Sequence, residues 1–138
     1  MFTHDIGAVG IDFDTPSSDG QPSTARCLIF VTPDGERTMN TFLGASQFLP
    51  PAALDDELIA SAGILYLEGY LWDPEEPRSA MRRAIEVARK AGRKVSFTAS
   101  VTFVIDSHGH DFRKMIEECP IDIIFCNQTQ LATKSQST

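Results

Sequence analysis

The chain has 138 residues and a mass of 15.2 kDa, which bounds it to one domain at most. A net charge of −7 and a pI near 4.8 leave no surplus of Lys and Arg for phosphate neutralisation, so nucleic acid is excluded as a partner class. With 42% hydrophobic and 22% charged residues, the composition is that of a globular chain with a core and not of a disordered one.

Residues 8–13 alternate apolar with small or polar side chains and read as a strand. Residues 15–23 hold Pro16, Ser17, Ser18, Asp19, Gly20 and Pro22, a loop. Residues 25–31 are β-rich, and the turn signal Pro33-Asp34-Gly35 leads into a return strand over 37–43. So short a connection makes the pair an antiparallel hairpin. After Pro50-Pro51 the character changes. Residues 55–62 form a short helix with Leu54, Leu58 and Ile59 on one face, and Gly63 breaks it. The apolar run Ile64-Leu65-Tyr66-Leu67 reads as a strand covered on both faces.

The next helix has the clearest start signals: Asp73 as cap, Pro74 at the first position and Glu76 completing a capping box. Ala80, Met81, Ala84, Ile85, Val87, Ala88 and Ala91 make its buried stripe, and Gly92 is its stop. A strand over 93–98, a helix near 110–118 and a strand over 121–126 complete a β-α-β-α-β series, hence parallel strands with right-handed crossovers. The polar tail 133–138 frays. Two or three helices are few for about six strands, which predicts that the chain is a piece of a larger domain.

Cys27, Cys119 and Cys126 cannot all pair and lack metal-type spacing, so reduced thiols in the cytoplasm are expected. No apolar run reaches the length of a membrane span, and Met1-Phe2-Thr3-His4-Asp5-Ile6 lacks the basic and apolar regions of a signal peptide. Residues 78–94 carry seven cations against one acid, Glu86; they read as a solvated helix face with its cations toward the C-terminus, in preference to an anion-binding patch. The Asp106-Ser107-His108-Gly109-His110-Asp111 stretch reads as loop and helix cap in preference to a metal cluster. Three strand ends carry polar or aromatic groups: Glu68-Gly69-Tyr70, Thr98-Ala99-Ser100 and Asn127-Gln128. Ligands bind outside the carboxyl ends of strands in open α/β sheets, which makes this rim the candidate site.

The order of Thr24-Ala25-Arg26-Cys27-Leu28-Ile29-Phe30-Val31, Asp34-Gly35-Glu36-Arg37-Thr38-Met39 and Leu43-Gly44-Ala45-Ser46, followed by Leu65-Tyr66-Leu67-Glu68-Gly69-Tyr70 and Phe125-Cys126-Asn127-Gln128-Thr129-Gln130, resembles the ribokinase-like (PfkB) sugar and nucleoside kinases. Adenosine-kinase-type members look most similar, and the likeness covers nearly the whole chain. It implies a three-layer α/β/α core, here partial, with a mostly parallel sheet and an antiparallel hairpin as a small β lid. The implied reaction is ATP- and Mg²⁺-dependent phosphorylation of a hydroxymethyl group on a nucleoside or sugar.

By the same resemblance Arg37 corresponds to an arginine reaching the nucleotide phosphates, Thr98 to a polar group near the nucleotide, and Met39, Thr41 and Leu43 to a nucleoside-pocket strand. Tyr70 and Phe103 correspond to pocket aromatics. Asn127 corresponds to the start of the Asn-x-x-Glu motif that organises Mg²⁺ through water. Gln130 stands where that motif has Glu, and Gln128 where Glu is also common, so the charge that attracts a hard cation is lost. The family's Gly-Gly substrate segment and its Gly-Ala-Gly-Asp anion hole, whose Asp is the general base, do not occur in these residues. The chain is therefore expected to be the central portion of one kinase domain, inactive alone. It is expected to bind ATP and Mg²⁺ weakly at most, to have no nucleic-acid or membrane partner, and to self-associate through exposed sheet surface. The alternative is a non-catalytic nucleoside-binding or protein-interaction module on the same core.

Overall fold

The computed structural model describes residues 2–13, 15, 20, 22–72, 74–99 and 121–127. The chain divides into two units, residues 1–45 and 46–138.

The first unit holds helix α1 (Phe2–Ala8) and the antiparallel strands β1 (Arg26–Val31) and β2 (Arg37–Phe42). A strand over 8–13 was expected; α1 instead ends there in a turn. The Ile6 carbonyl accepts from the Val9 and Ile11 amides at 3.2 and 3.3 Å, and Gly10 takes φ +79°. Alternation marks a strand only where a neighbouring strand supplies hydrogen bonds, and none pairs with these residues among those described. The hairpin is as expected. Register runs from Arg26 opposite Phe42 to Val31 opposite Arg37. The Gly35 amide donates to the Thr32 carbonyl at 2.9 Å with Gly35 at φ +86°, a conformation that favours glycine. Hydrogen bonds from the Thr32 hydroxyl and the Glu36 amide hold the Asp34 carboxyl below its usual range. Every residue of both strands is exposed, including Leu28, Ile29, Phe30 and Val31.

The second unit is built on a parallel sheet in the order β3-β4-β5: β3 (Ile64–Glu68), β4 (Lys94–Thr98) and β5 (Ile123–Phe125). Before it lies α2 (Asp56–Ser61), capped by Asp55, whose carboxylate accepts from the Glu57 and Leu58 amides at 2.9 and 3.0 Å. Helix α3 (Glu75–Lys90) crosses between β3 and β4. Its start differs from the expected capping box: Pro74 is the cap residue and makes no side-chain cap bond, while Asp73 lies outside the described residues. Its end is as expected. Gly92 takes φ +70° and the Arg93 amide reaches back to the Ala88 carbonyl at 2.8 Å, a Schellman closure.

Ala80, Met81, Ala84, Ile85 and Ala88 are buried on α3 as expected, while Val87 and Ala91 are half-buried. The stripe meets Val95, Phe97 and Trp72, with Leu65 and Leu67 of β3 packed alongside. On β3 this leaves Leu65 and Leu67 half-buried and Ile64, Tyr66 and Glu68 exposed. Coverage of both faces of this strand was expected; among the described residues α3 covers one. The helix expected near 110–118 and the tail 133–138 fall outside the described residues.

At the amino end of the sheet, Asp122 ties strand to helix. Its carboxylate accepts the Val95 amide at 2.7 Å and pairs with Arg89 at 2.8 Å. The Arg89 hydrogen bond first, and the Val95 amide next, hold this carboxyl below its usual range.

Candidate functional site

Parallel register places the last residues of the three strands in one row: Glu68 beside Thr98, and Thr98 beside Phe125. The chain leaves β3 through a 3₁₀ turn, Gly69–Trp72, whose Tyr70 is 41% exposed and whose Trp72 is wholly buried. It leaves β4 through Ala99, whose amide donates to the Phe125 carbonyl at 2.9 Å. It leaves β5 through exposed Cys126 and Asn127. Tyr70, Thr98 and Asn127, far apart in sequence, thus follow or end three adjacent strands at the same rim.

The open face beneath that rim adds Tyr66, which the sequence-based rim did not include, beside Glu68, which it did. Tyr66 donates its hydroxyl to the Glu68 carboxylate at 3.0 Å, and its ring meets Phe125 edge-on at a centroid distance of 6.4 Å. The bond to Glu68, then partial desolvation, raises the Tyr66 phenol above its usual range. The signal for Tyr66 lay in the strand period: residues 66 and 68 share a face two apart. The rim therefore offers a carboxylate that accepts hydrogen bonds from hydroxyls, hydroxyl groups, an amide and three exposed aromatic rings. That set suits a small polyhydroxylated or aromatic molecule.

Arg37, Met39 and Thr41 alternate along one face of β2, with half-buried Leu43 just beyond the strand. Met39 is 51% exposed opposite Ile29, and the Thr41 hydroxyl lies 3.2 Å from the Cys27 sulfur. These four residues belong to the first unit; Tyr70, Thr98 and Asn127 belong to the second. Phe103, Gln128, Gln130 and the 106–111 stretch lie outside the described residues.

Four of the five cations of α3 are engaged in the fold. Arg78 pairs with Glu75, Arg83 with Asp56 at 2.9 Å and Arg89 with Asp122, while Arg82 lies over the Trp72 ring at 5.5 Å. A solvated face was expected; Arg82, Arg83 and Lys90 are exposed, while Arg78 and Arg89 are half-buried in their ion pairs. Among the described residues no group of three His, Cys, Asp or Glu is placed to hold a metal ion, and no helix is long and apolar enough to cross a membrane.

A parallel sheet with a crossover helix and an antiparallel hairpin defines an α/β protein. More narrowly, the chain belongs to the pfkB family of carbohydrate kinases, whose model matches residues 1–138. It is 40% identical to the adenosine kinase of Sinorhizobium meliloti, whose crystal structure superposes with a TM-score of 0.90 over 99% of this chain and 42% of that one. It is 39% identical to a probable sugar kinase protein of Rhizobium etli, with a TM-score of 0.89 over 98% and 41%. A fructokinase of Solanum tuberosum is 29% identical over 125 residues, 89% of this chain and 38% of that protein. The chain thus spans about two fifths of the length of these relatives.

Proposed function

We propose that this chain is the central, substrate-contacting portion of a cytoplasmic kinase that transfers phosphate from ATP to a hydroxymethyl group of a nucleoside, adenosine foremost, or of a sugar. The observation that carries this reading is the rim itself: Glu68, Tyr70, Thr98 and Asn127 at the carboxyl ends of three adjacent parallel strands in a pfkB-family chain. The 40% identity to an adenosine kinase favours a nucleoside, and the fructokinase relative keeps sugars within the substrate class.

The roles proposed are those that the family resemblance implies, and residue chemistry is consistent with them. By that resemblance Tyr70 and Phe103 correspond to pocket aromatics that stack on a base or sugar ring, and Met39, Thr41 and Leu43 to a strand that lines a nucleoside. Thr98 and Asn127 hydrogen-bond near the nucleotide, and the fixed fork of Arg37 suits phosphate. Bound ATP supplies the phosphoryl group and Mg²⁺ offsets its charge. The described residues do not by themselves make a Mg²⁺ site, since Asn127 offers a neutral amide and no acid cluster accompanies it. No Gly-Ala-Gly-Asp sequence occurs in the chain to supply a base, so these 138 residues bind substrate without turning it over.

Exposed Ile64, Tyr66 and Phe125 favour self-association through the open sheet face. Sedimentation velocity showing only monomer at every concentration would remove that part. The binding reading is tested by saturation-transfer NMR with adenosine, fructose and free leucine. Transfer to adenosine or fructose and none to leucine is expected; equal transfer to all three, or to none, would contradict it.

A further inference from the structure

We infer that Gly69 is a positioning residue of the rim: its missing side chain lets the carboxyl ends of β3 and β4 close together, and this sets where Glu68 and Tyr70 stand. The inference rests on the reading of the rim as the substrate's seat. A Cβ at Gly69 would lie 2.6 Å from the Thr98 carbonyl oxygen and 3.1 Å from the carbonyl carbon and oxygen of Ala99. All three obstructing atoms are backbone, so no rotamer change relieves them, and one strand end must move. Conformational freedom is not the reason for glycine here, because Gly69 is not among the positive-φ glycines. Gly63, at the other end of the same strand, has open space where its Cβ would stand.

The displacement has one direction to go. The turn that begins at Gly69 ends at Trp72, which is wholly buried, meets Phe97 edge-on at 6.2 Å and lies under the Arg82 guanidinium. That end is anchored by the core. The other end carries Glu68 and exposed Tyr70, and across from it Ala99 is bonded to Phe125 of β5. A methyl group at Gly69 therefore spreads the rim and leaves the core in place. Glu68 and Tyr70 move away from Thr98, and the groups that would grip one small molecule no longer converge.

The test compares Gly69→Ala with Gly63→Ala in the ¹⁵N-labelled chain. Trp72 is the sole tryptophan, so its emission reports the core separately from the rim. Expected for Gly69→Ala are wild-type Trp72 emission, displaced amide resonances at Tyr70, Thr98 and Ala99, and adenosine affinity at least tenfold weaker. Gly63→Ala should match the wild type in all three. Rim resonances in Gly69→Ala that move no more than in Gly63→Ala would overturn the inference, as would unchanged adenosine affinity. Loss of Trp72 burial would also overturn it, since Gly69 would then hold the fold and not the rim. If the wild type binds neither adenosine nor fructose, the substrate-seat reading fails and this inference falls with it, even where the resonances move.

Discussion

Trp72 and Phe97 meet edge-on, ring centroids 6.2 Å apart and interplanar angle 84°, with neither ring exposed to solvent. Trp72 comes from the turn after β3 and Phe97 from the last residue but one of β4, so one contact joins the rim's support to the face that α3 covers. Truncating Phe97 leaves a cavity that the anchored Trp72 cannot fill. Phe97→Ala should cost about 3–5 kcal/mol and Phe97→Leu clearly less. Urea unfolding followed by Trp72 emission measures both, and equal losses would show that the site is not packed as described.

Asp122 makes stability depend on acid. Its folded carboxyl sits below the usual value, so its contribution is fully present above about pH 4, where the unfolded carboxyl ionises, and is lost as pH falls through the folded value. Urea midpoints should therefore drop on acidification. Asp122→Asn should be less stable near neutrality and show a shallower drop. Parallel curves for the two proteins would mean that the Arg89 and Val95 contacts contribute nothing.

Asp55 satisfies two amides at the start of α2, a helix too short to persist without its cap. Asp55→Ala should lower stability by about 1 kcal/mol, and Asp55→Asn or Asp55→Ser by a smaller amount. Chemical denaturation of the three variants checks the order.

These packing features differ in how readable they were. Helix α3 was legible because seven apolar residues repeat at helical spacing before Gly92, and the hairpin because Pro33-Asp34-Gly35 allows few other conformations. Parallel pairing followed from the order of elements. Residues 8–13 misled because alternation describes side chains and says nothing of whether a partner strand is at hand. The open face of β3 was hidden for a related reason: an apolar run shows that burial is wanted, not which neighbour supplies it. Tyr70, Thr98 and Asn127 could be placed at one rim from strand order alone. Gly69 could not, because its constraint is a carbonyl 29 positions away, brought near only by the register of β3 against β4.

Catalysis by the 138 residues alone is not expected. With ATP, Mg²⁺ and either adenosine or fructose, ADP formation should equal the rate without acceptor. Substrate-dependent turnover that Asn127→Ala abolishes would show that the chain supplies its own base, contrary to the reading above.

The central claim is that the carboxyl-end rim of β3, β4 and β5 seats the substrate. A ¹H–¹⁵N titration with adenosine tests it most directly. Resonances of Tyr70, Thr98, Ala99 and Asn127 should move together along one binding curve, with a dissociation constant of about 1 mM or weaker (roughly −4 kcal/mol at best). Those of Ile64, Lys94 and Asp122, at the opposite end of the same sheet, should stay in place. Shifts confined to that opposite end, or no saturable shift at the rim, would contradict the account.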